Sequence, residues 1–322
     1  MNNKNLKTQQ GFALITVLLV VALVTIIATQ LIYQQSLTVQ RSTNMLHQAQ
    51  ATSVAWGLEA WIKKGLKLDA EQSKIDHLQE QWALPMLPVP FEGGEISGQL
   101  FDMQARINLN NLQETNKDKR KHWNKVVKRF LEKQEIEPTL QEVITDWIDK
   151  DNNASIYGAE SDNYLLKEPA YRTANQKLVL VQELGLLEGF TPKIIKQIKP
   201  FVATLPKITT ININTADKIV LQSLADWLTA EIAQAWLENR KESPAKKRDD
   251  FWTFMQEQSP GLELAEIKKD FPDYIIDVKS DFFFLIGLVE YGEAKQTLSG
   301  IFMRDDNKKV KLVQRWVGIT DE

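Results

Sequence analysis

The chain has 322 residues, with 39 Lys+Arg against 42 Asp+Glu, a net charge of −3 and an isoelectric point near 5.8. That balance excludes a generic polyanion-binding protein. The absence of cysteine excludes disulfides, thiol nucleophiles, iron–sulfur clusters and Cys-ligated zinc, and three scattered histidines (His47, His77, His122) leave little material for His-based chemistry.

The length sets a prior of about two domains, and the 43% hydrophobic content is unevenly spread. Residues 8 to 40, between Lys7 and Arg41, carry no charge. Within them Phe12 to Tyr33 (FALITVLLVVALVTIIATQLIY) would span roughly 33 Å as a helix, enough for a bilayer core of about 30 Å. Lys4 and Lys7 precede it without an acidic neighbour, so the N-terminus is expected in the cytoplasm and everything after Tyr33 outside that membrane. A secretory signal would have a shorter apolar core and a small-residue cleavage site. Here Gln34-Gln35-Ser36-Leu37 follows and the helical pattern continues past Trp61, which predicts one helix to about residue 66, half in lipid and half in water.

Gln10-Gly11 runs directly into Phe12-Ala13-Leu14-Ile15. A plain anchor would need no such junction. The basic leader, Gly11, Phe12 and the extended helix together resemble the class III leader of type IV pilins and type II secretion pseudopilins. The resemblance implies processing by a prepilin peptidase between Gly11 and Phe12, with methylation of the new N-terminal Phe. Removing the leader would carry the net charge from −3 to −5. Most members of that superfamily have Glu at the fifth mature position, which pairs with the terminal amine of the subunit ahead. Here that position is Thr16. Among pseudopilins the large K-type minor pseudopilin is known for lacking the Glu, which suits the first position of a filament.

Farther along, Pro85, Pro88 and Pro90 punctuate an expected loop, and Glu95 to Ala105 alternates as a strand. Trp123, Val127, Phe130 and Leu131 mark an amphipathic helix, while Leu178–Leu187, Ile194–Val202 and Ala216–Asn239 are further helical candidates. Ile107-Asn108-Leu109-Asn110-Asn111-Leu112 is echoed by Ile211-Asn212-Ile213-Asn214-Thr215-Ala216. The second copy resembles the opening of a helix-hairpin-helix unit over about 211–240. Its hairpin, Leu224 to Leu228, lacks the glycines that approach phosphate and adds Asp226. No nucleic acid is expected there. Asp281 to Trp316 contains three β-prone runs separated by turns at Gly292-Glu293 and Asp305-Asp306-Asn307.

The segment from Asp149 to Glu160 (DKDNNASIYGAE) places oxygen ligands at positions one, three and five (Asp149, Asp151, Asn153), an apolar residue at eight (Ile156) and Glu160 at twelve. This is the spacing of an EF-hand calcium loop, except that Ala154 replaces the turn-making Gly at six. Asp146, Asp162 and Asn163 add oxygens, and Pro169 limits any exiting helix. An acidic, solvated loop without an ion is the other reading of the same residues. The stretch resembles the calcium-binding part of the helical insertion of K-type pseudopilins, which favours calcium without assigning each ligand.

The basic run Lys117 to Arg129 shares its helix with Trp123, so its cations are expected on a solvated, salt-bridged face. With no phosphate loop, nucleophile elbow or His–carboxylate spacing, an enzyme is not expected. The resemblance to K-type minor pseudopilins of type II secretion covers essentially the whole chain. It implies an α+β fold: a pilin-like long N-terminal helix plus a small antiparallel sheet, with a large all-α insertion domain. The expected organisation is a leader over 1–11, a membrane part over 12–33, a pilin-like unit over 67–106 and 275–322, and an insertion over 107–274. The resemblance further implies a single-pass bacterial inner-membrane protein with a periplasmic C-terminal part. It would initiate and cap the pseudopilus with I-type and J-type minor pseudopilins, other pseudopilins and secreted cargo as further contacts. A membrane-anchored DNA receptor and a type IV pilus minor pilin are the alternatives.

Overall fold

The computed structural model describes residues 7–318, so residues 1–6 of the expected leader lie outside it. Helix α1 runs from Lys7 to Gln72, through Gly11, Gly57 and Gly65. By length and composition it can cross a membrane, with a window of mean hydropathy 2.9 and none of that window buried. Its C-terminal half is anchored differently. Ala51, Ala55, Leu58 and Leu66 recur at helical spacing and are buried against Phe283, Leu285, Val289, Leu298 and Phe302. Gly287 permits the contact, since a Cβ there would lie 2.5 Å from Leu58 Cδ2.

The surface beneath α1 is an antiparallel sheet of five strands: β1 (Met86–Phe91), β2 (Gly94–Asp102), β7 (Phe282–Tyr291), β8 (Ala294–Arg304) and β9 (Val310–Val317), in spatial order β1-β2-β7-β8-β9. The last three coincide with the β-prone runs near the C-terminus, because alternation there sends Phe283, Leu285 and Val289 to one face. Strand β1 falls where three prolines suggested a loop. It is an edge strand, where proline's missing N–H costs no ladder bond. Strand β2 stops at Asp102, whose side chain accepts from the Gln104 amide and turns Met103–Ala105 into a short 3-10 turn.

The segment between β2 and β7 builds a second core, while its Met103, Ala203 and Leu205 pack with Phe282 and Ile301 of the sheet. The two-residue strands β3 (Ile107–Asn108) and β4 (Val202–Ala203) pair in parallel, as do β5 (Ile211–Asn212) and β6 (Ile276–Asp277). Helices α2 (Lys117–Lys133), α3 (Leu140–Ile148), α4 (Ser161–Tyr164), α5 (Pro192–Ile198), α6 (Lys218–Gln222), α7 (Ala230–Glu242), α8 (Arg248–Gln258) and α9 (Leu264–Asp270) surround a core containing Trp123, Phe130, Trp147, Tyr164, Trp236 and Phe251. Three helical readings of the sequence are corrected. Leu178–Leu187 holds only a 3-10 turn at Val181–Leu186. Ile194–Val202 ends as α-helix at Ile198, before Pro200, and closes in a 3-10 turn. Ala216–Asn239 is α6 and α7, separated because Trp227 Nε1 donates to Asp270 and Thr229 caps Ile232.

The asparagine echo has a physical role in this core. Asn110 holds Leu178 and Leu205 through both ends of its amide, and Asn214 holds Ala245 in the same way. Asn212 donates to Asp76 O, Asp102 Oδ2 and Ser280 Oγ, tying the insertion to the sheet. Arg304 closes that junction from β8, donating to Asp69 at 2.9 Å and to Asp76 at 2.6 Å. In the hairpin between α6 and α7, Asp226 is paired with Arg129 of α2 by two bonds of 2.6 and 2.7 Å.

Candidate metal centre

Helix α3 ends at Ile148 because Asp149 leaves the helical conformation, and the loop that follows returns to the same place at Glu160, just before α4. Asp146, on the last turn of α3, is buried. Its Oδ2 accepts from the Ser155 amide at 2.9 Å and its Oδ1 from Ser155 Oγ at 2.6 Å. Glu142, one turn earlier, accepts from the Tyr157 amide. The loop is therefore folded over α3, with its backbone donors fixed at the rear.

At the front, carboxylate oxygens of Asp149, Asp151 and Glu160 lie within 4.8 Å of one another. Asp149 accepts from the Asp151 amide and Asp151 from the Asn153 amide, so successive turns bring alternate side chains to one side. Glu160 is buried. Its Oε2 accepts from Thr173 at 3.3 Å, while its Oε1 has no hydrogen-bond partner among the described residues. Burial, followed by repulsion from Asp151, pushes the Asp149 carboxyl up, and burial with repulsion from Asp146 and Asp149 pushes Glu160 up. An orphaned buried carboxylate oxygen facing two more carboxylates fits a hard cation, whose ligands are oxygens.

The other expected ligands are placed differently. Asn153 turns its amide nitrogen to Asp151, 2.8 Å away, and Asn163 uses its oxygen to accept from the Glu160 amide. Asp162 stands exposed on α4 and is not among the three converging carboxylates. What the spacing missed was Asp146 as the fixed post of the loop. A second acidic group, Asp69, Asp76 and Glu80, also has oxygens close together, but Arg304 already supplies its positive charge.

At the start of α1, Gly11 lies within the helical backbone and Phe12 is exposed. Thr16 donates its hydroxyl to its own helix, to Ala13 O at 2.8 Å and Phe12 O at 3.2 Å. Beyond the apolar run of α1, Met45, Leu46, Trp56 and Trp61 are exposed, the tryptophans by 57% and 54%. Residues 42–58 of the helix contain no charged side chain.

Comparison with known proteins gives the chain its relatives. A family profile described as type II secretion system (T2SS), protein K, matches residues 105–207, and a second profile of that description matches residues 211–269. The type II secretion system protein K of Pseudomonas aeruginosa is 33% identical, the match covering 96% of this chain and 93% of that one. The protein of the same name from Aeromonas hydrophila is 28% identical, with 97% and 98% covered. Among solved structures, a chain of the GspK-GspI-GspJ complex from the enterotoxigenic Escherichia coli Type 2 Secretion System superposes with a TM-score of 0.74 at 23% identity. That match covers 87% of this chain and all of the other, and shows the shared fold.

Proposed function

The chain belongs to the type II secretion system protein K family, and on that premise we propose that it is the minor pseudopilin that initiates and caps the tip of the secretion pseudopilus. The observation that carries this reading is Thr16. A carboxylate at its place in lipid is costly and needs a partner, whereas the Thr16 hydroxyl is satisfied inside its own helix. A subunit with no such carboxylate makes no demand on a subunit ahead of it, and the first subunit has none ahead. The insertion supports the same position, since so large a body hinders stacking along a thin filament but not at its end.

In this reading the precursor is cut between Gly11 and Phe12, α1 stays in the inner membrane, and residues beyond it face the periplasm. GspI and GspJ accompany GspK in the E. coli complex. The I-type and J-type minor pseudopilins are accordingly the partners proposed here, engaging the uncharged stretch of α1 over residues 42–58 that carries the exposed Trp56. As a filament component the protein works by assembly, not by turnover of a substrate. Calcium is the proposed ion of the loop, held by Asp149, Asp151 and Glu160, with Asn153, Asp162 and Asn163 as further oxygen sources. It would neutralise the carboxylates and fasten the loop onto α3, the staple a chain without cysteine does not obtain from disulfides.

Co-purification of the detergent-solubilised chain with the I-type and J-type minor pseudopilins tests the partner assignment. A stable three-component complex, weakened by Trp56→Asp, is expected. Recovery of the chain alone under conditions where the other two pair would refute it.

A further inference from the structure

A cleft of about 250 Å³ opens between the sheet face turned away from α1 and the insertion segments near Val179–Gln182 and Lys199–Thr204. Phe101, Met103, Phe284, Ile301 and Trp316 make its floor apolar. Polar side chains of Gln182, Lys199, Thr204 and Gln314 stand on its wall, and so does Arg106. It is half-buried, and among the described residues it has no hydrogen bond or ion pair. Asp102 is the carboxylate that bears on it electrostatically, but the oxygens of Asp102 are committed elsewhere. One accepts from the Gln104 amide at 2.7 Å, and the other from Asn212, Thr215 and Ser280. A guanidinium presents a rigid fork of donors matched to a carboxylate, and burial already weighs against its charge.

We propose that this cleft binds the free C-terminal carboxylate of a partner peptide whose last side chain is apolar, with Arg106 on the carboxylate and the side chain seated on Phe101, Phe284 and Ile301. The size favours that ligand. Pockets for drug-sized molecules start at about 300 Å³, so this one holds an end group and not an extended segment. Capture of a terminal carboxylate is a known mode of peptide recognition, and an ion pair with a carboxylate in partly desolvated surroundings is stronger than a neutral contact.

The test is calorimetric titration of the full chain in a non-ionic detergent with acetyl-Leu-Leu as the free acid and as the C-terminal amide. The acid is expected to bind at least about tenfold more tightly than the amide. Arg106→Gln should abolish that preference and Arg106→Lys retain part of it. Val181→Trp, which fills the cleft while leaving Arg106 in place, should abolish binding even if Arg106→Gln fails to fold. Equal affinity for acid and amide, indifference to both Arg106→Gln and Val181→Trp, or hexanoate binding as tightly as the peptide acid would each overturn the proposal.

Discussion

Gly158 packs so closely on Asp146 that a Cβ at that position would stand 1.8 Å from the Asp146 Oδ2. Asp146 cannot readily yield, because both its oxygens hold Ser155. The acidic loop thus has its required glycine at the rear, against α3, and not at the sixth position where Ala154 stands.

Gly158→Ala should therefore destabilise the insertion by about 1–3 kcal/mol, the usual cost of forcing extra volume into a packed site. Urea denaturation measures it. An unchanged midpoint would mean that the loop is not folded on Asp146.

Glu160→Gln separates the ion site from the packing. The buried Oε1 has no partner, so neutralising the side chain should leave the calcium-free melting temperature equal or higher, since a buried charge without compensation is costly. The rise in melting temperature on adding calcium should disappear. A calcium response equal to that of the unsubstituted chain would remove Glu160 from the site.

The calcium response should also depend on pH. Burial raises both Asp149 and Glu160 above the ordinary carboxylate range. Their stabilising contribution to the ion-free fold is fully present below that range and is lost as pH rises through the raised values. Calcium replaces the departing protons, so the calcium-induced gain in melting temperature should grow as pH rises from the acid side through the titration of these carboxylates. A gain independent of pH would show that these carboxylates do not bind the ion.

Arg304→Met leaves Asp69 and Asp76 facing each other without their cation. Removing one partner of a buried pair costs about 3–5 kcal/mol, measurable by urea denaturation. Burial pushes Asp76 up to about 7 even with Arg304 present. In the variant it holds its proton still more strongly, so the stability deficit should be greater at pH 8 than at pH 5. A loss below about 1 kcal/mol would mean that the junction between sheet and insertion does not rest on this pair.

The parts of the fold legible in the sequence were those with strong patterning. The uncharged run before Arg41 marked α1, and alternation around Phe283, Leu285 and Val289 marked the terminal sheet. Two parts escaped. Strand β1 was hidden by Pro88 and Pro90, which an edge strand tolerates, and the break between α6 and α7 depends on Trp227 reaching Asp270, a contact made 43 positions away. At the acidic loop, spacing identified Asp149, Asp151 and Glu160, because alternate residues of a tight turn converge. It did not reveal that Asn163 caps Glu160 or that Asp146 holds Ser155, since backbone donors leave no signature in residue type.

The tip position is tested most directly on pseudopili sheared from cells whose chain carries an epitope in the exposed β8–β9 turn at Asp306-Asn307, located by immunogold electron microscopy. Gold at one end of each filament is the expected result. Gold distributed along the filaments would contradict the account.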